Sequence, residues 1–260
     1  MRKLFIILLL IFIVKLPAFS GIVQGGVEKE RILGSNKVVD YETNSPVSGA
    51  KISIPQGNYS TYTDENGQFN LGADINKPTV ISVEKAGYKP YSMTVNKISR
   101  SKPIVMSIEK TTPKDITIDT NMFHLGDNSY SELSANAGEF QVQSVGPFYS
   151  KKVKIPTITP GTKVNLIIGS IIGVDTLLAK SMGQNKVVNA YASPTEVYFN
   201  GNKIADIQVN GDGQRIRVPY NLIKQNQLNE ITIKTGRNLS QTAYVDYDDI
   251  EFMNLSVETN

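Results

Sequence analysis

The sequence predicts an all-β protein made of two β-sandwich domains, an N-terminal Greek-key sandwich and a C-terminal jelly roll. Three features predict it: short runs in which apolar and polar residues alternate, turn-forming clusters at the ends of those runs, and almost no stretch with a helical period.

In chain order, the first element is not a strand. Arg2 and Lys3 precede an unbroken apolar run from Leu4 to Val14, followed by a short stretch from Lys15 to Ser20 that carries small residues at Ala18 and Ser20. This is the layout of a secretory signal peptide, with cleavage expected near Ser20. As a helix the run rises only about 16 Å, short of the roughly 30 Å hydrocarbon core, so no membrane span is expected after cleavage. A retained N-terminal anchor is the alternative. The expected location is therefore secreted or periplasmic. Arg2, Lys3 and Lys15 account for the formal net charge of +3, and without them the basic and acidic residues balance at 24 each. A neutral mature chain gives no case for nucleic acid as a partner, which would need a clustered basic face. There is no cysteine, so stability has to come from burial. About 240 mature residues are enough for two domains with a core each.

From residue 30 to 110 the alternation is regular. Ala50, Ile52 and Ile54, then Tyr91, Met93 and Val95, then Ile104, Met106 and Ile108 each present one apolar face. Asn44-Ser45-Pro46, Gln56-Gly57-Asn58, Asp64-Glu65-Asn66-Gly67 and Gly87-Tyr88-Lys89-Pro90 interrupt the runs. In the third, the Asp64 carboxylate is placed to accept backbone N–H groups two residues on, and Asn66-Gly67 tolerates positive φ, which predicts a hairpin. About six or seven strands fit a small Greek-key sandwich.

Ser45-Pro46-Val47-Ser48-Gly49-Ala50, then Thr63-Asp64-Glu65-Asn66-Gly67-Gln68-Phe69, then Ala86-Gly87-Tyr88 resemble the signature of the carboxypeptidase regulatory-like domain, which has a transthyretin-like (prealbumin-like) fold. The resemblance spans nearly all of this domain. It implies a non-catalytic spacer or stabiliser attached to another module.

Lys110 to Lys114 is a polar connector. Beyond it, residues 115 to 260 return to alternation: Val164, Leu166 and Ile168, Val197 and Phe199, Ile216 and Val218, and Ile231 and Ile233. Asn200-Gly201-Asn202 and Asn210-Gly211-Asp212-Gly213 have the composition of hairpin turns. The last run changes phase, with Ile250 and Phe252 on one parity and Leu255 and Val257 on the other, so a β-bulge is expected near Met253-Asn254. Val174 to Met182 is compatible with a helix or a strand. Two sheets closed as a jelly roll suit the pattern. Asn200-Gly201, Gln214 to Pro219, Leu228 to Gly236 and Asp248 to Leu255 resemble the closing strands of galactose-binding-like jelly rolls, the fold of many carbohydrate-binding modules. That resemblance implies an exported, non-catalytic protein recognising carbohydrate or another extracellular polymer. The alternative is a structural or adhesion subunit that contacts a cell-surface protein.

The candidate sites follow from residue chemistry. With no cysteine and a single histidine, His124, a nucleophilic triad or a zinc site has few residues to draw on, and His124 is expected to be structural. No pair of carboxylates stands out for glycoside hydrolysis, so no catalytic residues are assigned. Sugar binding needs an aromatic platform, and without tryptophan the candidates near loops or strand ends are Tyr130, Tyr191, Tyr220, Tyr244 and Tyr247. Asp246, Asp248, Asp249 and Glu251 crowd four carboxylates into six residues, which a cation would offset. The galactose-binding-like resemblance implies a structural calcium between first and last strands, held by Asp119 and Asp249. Solvated strand-end carboxylates paired with basic side chains are the alternative. Asp127, Asn128 and Glu132 form a second oxygen-rich group, equally compatible with an ordinary turn.

Overall fold

Side chains that point alternately to opposite faces sort the strands into layers. The computed structural model describes residues 35–72, 75, 78–95, 103–128, 140, 142–185, 192–238 and 246–260. The expected signal peptide lies outside them. In the first sandwich, β1 (Asn36–Asp40) sits between β4 (Gln68–Phe69), to which it is antiparallel, and β7 (Val105–Ile108), to which it is parallel. The facing sheet is antiparallel, in the order β3 (Tyr59–Tyr62), β2 (Lys51–Ile54), β5 (Thr79–Glu84), β6 (Tyr91–Val95). Val38, Ile52, Phe69, Ile81, Met106 and Ile108 fill the space between the two sheets.

The Asp64 turn forms as its chemistry predicts. Asp64 Oδ1 accepts the N–H groups of Asn66 (2.9 Å) and Gln68 (2.7 Å), and Gly67 takes a φ of +69°. It is not a hairpin, however, because β3 and β4 on either side of it belong to opposite sheets. The N–H of Val38 donates to the Gly67 carbonyl (2.8 Å), so the chain leaving the turn joins β1 instead of returning along β3.

The second sandwich has two antiparallel four-stranded sheets. The inner one runs β13 (Gly211–Val218), β10 (Val164–Ile172), β17 (Ile250–Thr259), β8 (Asp115–Leu125). The outer one runs β12 (Asn202–Ile207), β11 (Thr195–Phe199), β14 (Leu228–Lys234), β9 (Phe148–Lys154). Leu166, Ile168, Phe199, Ile231, Phe252 and Val257 lie in the core between them. Asn200 (φ 49°) and Gly201 (φ 78°) make the two-residue hairpin between β11 and β12. The turn expected at 210–213 lies earlier: Gly211 already opens β13, and residues 208–210 carry the chain from the outer sheet to the inner. The expected bulge is present, since the β17–β8 register shifts at Met253/Leu255 and Asn254 has a φ of 58°. Residues Leu177–Ser181 form the helix α1, whose N-terminus is capped by the Thr176 hydroxyl accepting the Ala179 N–H (3.1 Å). A short pair, β15 (Arg237–Asn238) and β16 (Asp246–Tyr247), completes the all-β architecture.

The two sandwiches pack face to face, so that β5 and the inner sheet are covered on both sides. Val80 of β5 joins Met122, Phe140, Ile172 and Met253 in an apolar cluster between them. Around it, Ser170 donates to Asp212 Oδ1 (2.7 Å) and lies in hydroxyl–hydroxyl contact with Ser92 (2.9 Å), and Asp212 accepts the N–H and hydroxyl of Thr94 (2.8 Å each). Lys89 pairs with Glu258 (3.2 Å) and Asp115 (3.3 Å). Among the described residues, no helix is long and apolar enough to cross a membrane.

Candidate binding face

With the inner sheet covered, the broad face left open on the second sandwich is the outer side of β12-β11-β14-β9. Its register lines up two rows of outward side chains across all four strands. One row is Phe148, Lys234, Glu196 and Asp206, and the next is Ser150, Thr232, Tyr198 and Lys203. At a strand spacing of about 4.8 Å, each row is about 14 Å long. Alternation positions these groups: Val197 and Phe199 are buried, so Glu196 and Tyr198 must face out. On β12, a register shift opposite Val197/Tyr198 inserts one residue, which puts Lys203 and Asp206 on the same face although they are three apart.

These polar groups hold one another in place. The Tyr198 hydroxyl donates to Glu196 Oε2 (2.8 Å), while Lys203 Nζ bonds to Glu196 Oε1 (2.8 Å) and Asp206 Oδ1 (2.7 Å). Lys234 Nζ lies 4.6 Å from the centre of the Tyr198 ring, a cation–π arrangement. The Lys203 ammonium and the Tyr198 hydroxyl keep Glu196 below the usual carboxylate range, and Glu196 in turn raises the Tyr198 phenol. Phe148 is 56% exposed at the end of its row, and Leu228, 60% exposed at the start of β14, is a second apolar side chain on the same face.

The tyrosines expected from sequence fall elsewhere. Tyr130, Tyr191 and Tyr244 lie outside the described residues. Tyr220 is exposed just beyond β13, where its hydroxyl accepts from Gln225 Nε2 (2.7 Å), and Tyr247 is half-buried in β16. The pairings Val164↔Val218 and Ile172↔Glu251 place Tyr220 and Tyr247 at opposite ends of the inner sheet, so they do not share a site. Tyr198 and Phe148 are the aromatic residues the sequence reading passed over. The signal was present, because a tyrosine between two core residues of a strand faces outward.

The expected meeting of Asp119 and Asp249 does not occur. Asp119 pairs with Leu255, whereas Asp249 precedes Ile250, whose partner is Leu125. Six residues of strand, roughly 20 Å, separate them. Asp119 receives Lys151 Nζ (2.9 Å), the Tyr149 hydroxyl (3.0 Å) and the Asn121 amide (2.9 Å). Burial works against its charge, but those donors lower its pKa overall. Asp249 Oδ1 takes His124 Nε2 and the Asp127 N–H, both at 3.0 Å. Asp248 Oδ2 accepts the Asp175 N–H (3.1 Å), and Asn128 Oδ1 accepts the Ser144 N–H (2.9 Å). Asp248, Glu251 and one oxygen of Asp249 thus accept protein donors, whereas Asp249 Oδ2 is buried without a hydrogen-bond partner among the described residues. Among the described residues, no group of three or more His, Asp or Glu side chains is arranged to hold a metal ion. His124 is fully buried, with Nδ1 2.7 Å from the Val142 carbonyl and Nε2 3.0 Å from Asp249 Oδ1.

Residues 35–118 match the family model of the CarboxypepD_reg-like domain, a non-catalytic β-sandwich domain. The match covers the first sandwich and continues to Ile118, inside β8, past the connector at 110–114. No curated protein matches the sequence.

Proposed function

We propose that this is an exported, non-catalytic binding protein that recognises a carbohydrate polymer on the outer sheet of its C-terminal jelly roll, with the N-terminal sandwich as a rigid spacer. The two registered rows on β12-β11-β14-β9 support this reading. Sugar recognition needs an apolar ring against the sugar's C–H face and a few fixed polar groups for its hydroxyls. Phe148 supplies the ring, and the Tyr198-Glu196-Lys203-Asp206 array supplies donors and acceptors already held in position, which lowers the ordering cost of binding. The patch measures about 14 Å by 7 Å, the footprint of a short length of polymer chain. The spacer covers the opposite face and leaves this one outward.

Polysaccharide pull-down and a glycan array with the full chain test the proposal. Phe148→Ala is expected to weaken capture at least tenfold, and Tyr198→Phe, which removes one hydroxyl, to weaken it less. Absence of glycan capture by the wild type, or undiminished capture by Phe148→Ala, overturns it. The second reading, an adhesion or structural subunit, draws on α1, where Leu177 (66%), Leu178 (46%) and the adjoining Met182 (59%) are exposed together. Under that reading Leu177→Ser abolishes capture of a surface protein, and the outer-sheet variants change nothing.

A further inference from the structure

The outward side of β9 and β14 forms a strip that runs along the strands and crosses the two rows. Its register pairs Phe148 with Lys234, Ser150 with Thr232, Lys152 with Glu230 and Lys154 with Leu228. Tyr149, Val153, Ile231 and Ile233 turn inward to the core, so the side chains of these pairs face out. All but Thr232, which is half-buried, are exposed. From Phe148 to Lys154 the strip is about 20 Å long.

The charges on this strip do not cancel. Lys152, Lys154 and Lys234 stand against one acid, Glu230, on a chain whose residues 21–260 carry 24 basic and 24 acidic side chains. Elsewhere on the outer sheet the match is internal, since Lys203 pairs with both Glu196 (2.8 Å) and Asp206 (2.7 Å). Among the described residues, none of the three strip lysines is in an ion pair. Lys234 lies over the Tyr198 ring (4.6 Å), beside a Glu196 already bonded to Lys203 and Tyr198. Glu230 takes the Ser150 hydroxyl (3.1 Å), which lies 3.0 Å from that of Thr232. Lysine on an edge strand such as β9 also discourages pairing with a second sheet. That role asks nothing of the neighbouring side chains, whereas here Phe148 and Leu228, 56% and 60% exposed, stand at opposite ends of the strip with hydroxyls between them.

Resting on the carbohydrate reading of this face, we infer that its ligand is an acidic polysaccharide, a polymer whose sugars carry carboxylate groups, lying along β9 and β14. The carboxylates meet Lys234, Lys152 and Lys154, and the C–H faces of the sugar rings lie on Phe148 and Leu228. The sugar hydroxyls, which both donate and accept, exchange hydrogen bonds with Ser150, Thr232 and Glu230. An exposed lysine contributes little by itself, but a polymer that engages the first makes its contacts with the others intramolecular. Duplex DNA offers phosphates to the lysines and no apolar ring face to Phe148 and Leu228. An anionic lipid surface accepts the apolar side chains and sets Glu230 against like charge.

The test immobilises the full chain and offers it polygalacturonate, alginate and hyaluronate, the neutral polymers dextran and fully methyl-esterified polygalacturonate, double-stranded DNA, and vesicles containing phosphatidylserine. The acidic polysaccharides are expected to be retained about tenfold more strongly than the neutral ones, and to be released as salt rises to about 0.5 M, where exposed charges are screened. Lys152→Gln combined with Lys154→Gln is expected to weaken retention of acidic polymer about tenfold and to leave that of neutral polymer unchanged. Glu230→Gln, which removes the acid of the strip and keeps an acceptor, is expected to strengthen it about threefold. Equal retention of neutral and acidic polymers overturns the inference and leaves the carbohydrate face standing, whereas retention of no polysaccharide overturns both. The inference also falls if DNA or the vesicles are retained as strongly as acidic polysaccharide, if the double lysine variant behaves as wild type, or if Glu230→Gln brings no gain. Should the double variant not fold, Glu230→Gln and the methyl-esterified polymer still decide.

Discussion

Asp175 follows the end of β10 and is 2% exposed. The Asn185 side-chain amide donates to its carboxylate, and Ala192 N–H to its carbonyl (2.6 Å). Burial pushes its carboxyl up to about 7, and Asn185 and Lys180 pull it back only in part. Because folding raises this pKa, its stabilising contribution is complete below about pH 4 and disappears as pH climbs through 7. About three units at 1.4 kcal/mol each makes a change of about 4 kcal/mol. Asp175→Asn, which cannot ionise, should flatten the urea-midpoint profile between pH 4 and 8 relative to wild type, and parallel profiles would refute the assignment. Nothing in Val174-Asp175-Thr176 announces this, since an aspartate before a Thr cap reads as solvated. Its burial comes from residues far along the chain, such as Asp248 and Asn185. The same holds for Asp119, whose neighbours Tyr149 and Lys151 belong to another strand.

At the scale of elements, local chemistry was readable and partnership was not. The Asn200-Gly201 hairpin and the Asp64 turn depend on residues within a few positions of each other, and both formed where their sequences indicate. Which sheet the next strand joins depends on distant residues, so the Asp64 turn crosses between sheets where a hairpin was expected. The phase change in β17 was legible because a slip of one residue exchanges faces, and Ile250, Phe252, Leu255 and Val257 all reach the same core. Asn254 absorbs that slip at a cost. It is 2% exposed with positive φ, and among the described residues neither its amide nitrogen nor its oxygen has a partner. Glycine adopts positive φ without strain and brings no amide to desolvate. Asn254→Gly should therefore raise stability by about 1 kcal/mol, seen as a higher urea midpoint with an unchanged slope. A lower midpoint would mean that the side chain's packing outweighs its unmet polarity.

For the molecule as a whole, the feature hardest to read from sequence is the contact between sandwiches, because it is built largely from residues that read as solvent-facing. Ser82, Ser92, Ser170 and Glu251 are buried there, along with Gln56. The trace that sequence does carry is the weak alternation of Thr79–Glu84 and Ile250–Thr259, strands covered on both faces. Close approach of the layers turns on Gly169 in β10. A methyl group there would lie 2.5 Å from Asn254 Cβ and 2.7 Å from Ser92 Oγ, on opposite sides of the contact. Both distances are shorter than real Cβ contacts, so in Gly169→Ala these neighbours must shift, at a cost of about 1–3 kcal/mol. Gly57 provides the comparison, since its added methyl meets only Ile54 Cγ2 at 3.7 Å, ordinary contact. Thermal unfolding of the two variants should then differ, with Gly57→Ala close to wild type and Gly169→Ala several degrees lower. If the two melt together, the sandwiches are not in close contact at β10, and the N-terminal sandwich would be a loosely attached spacer.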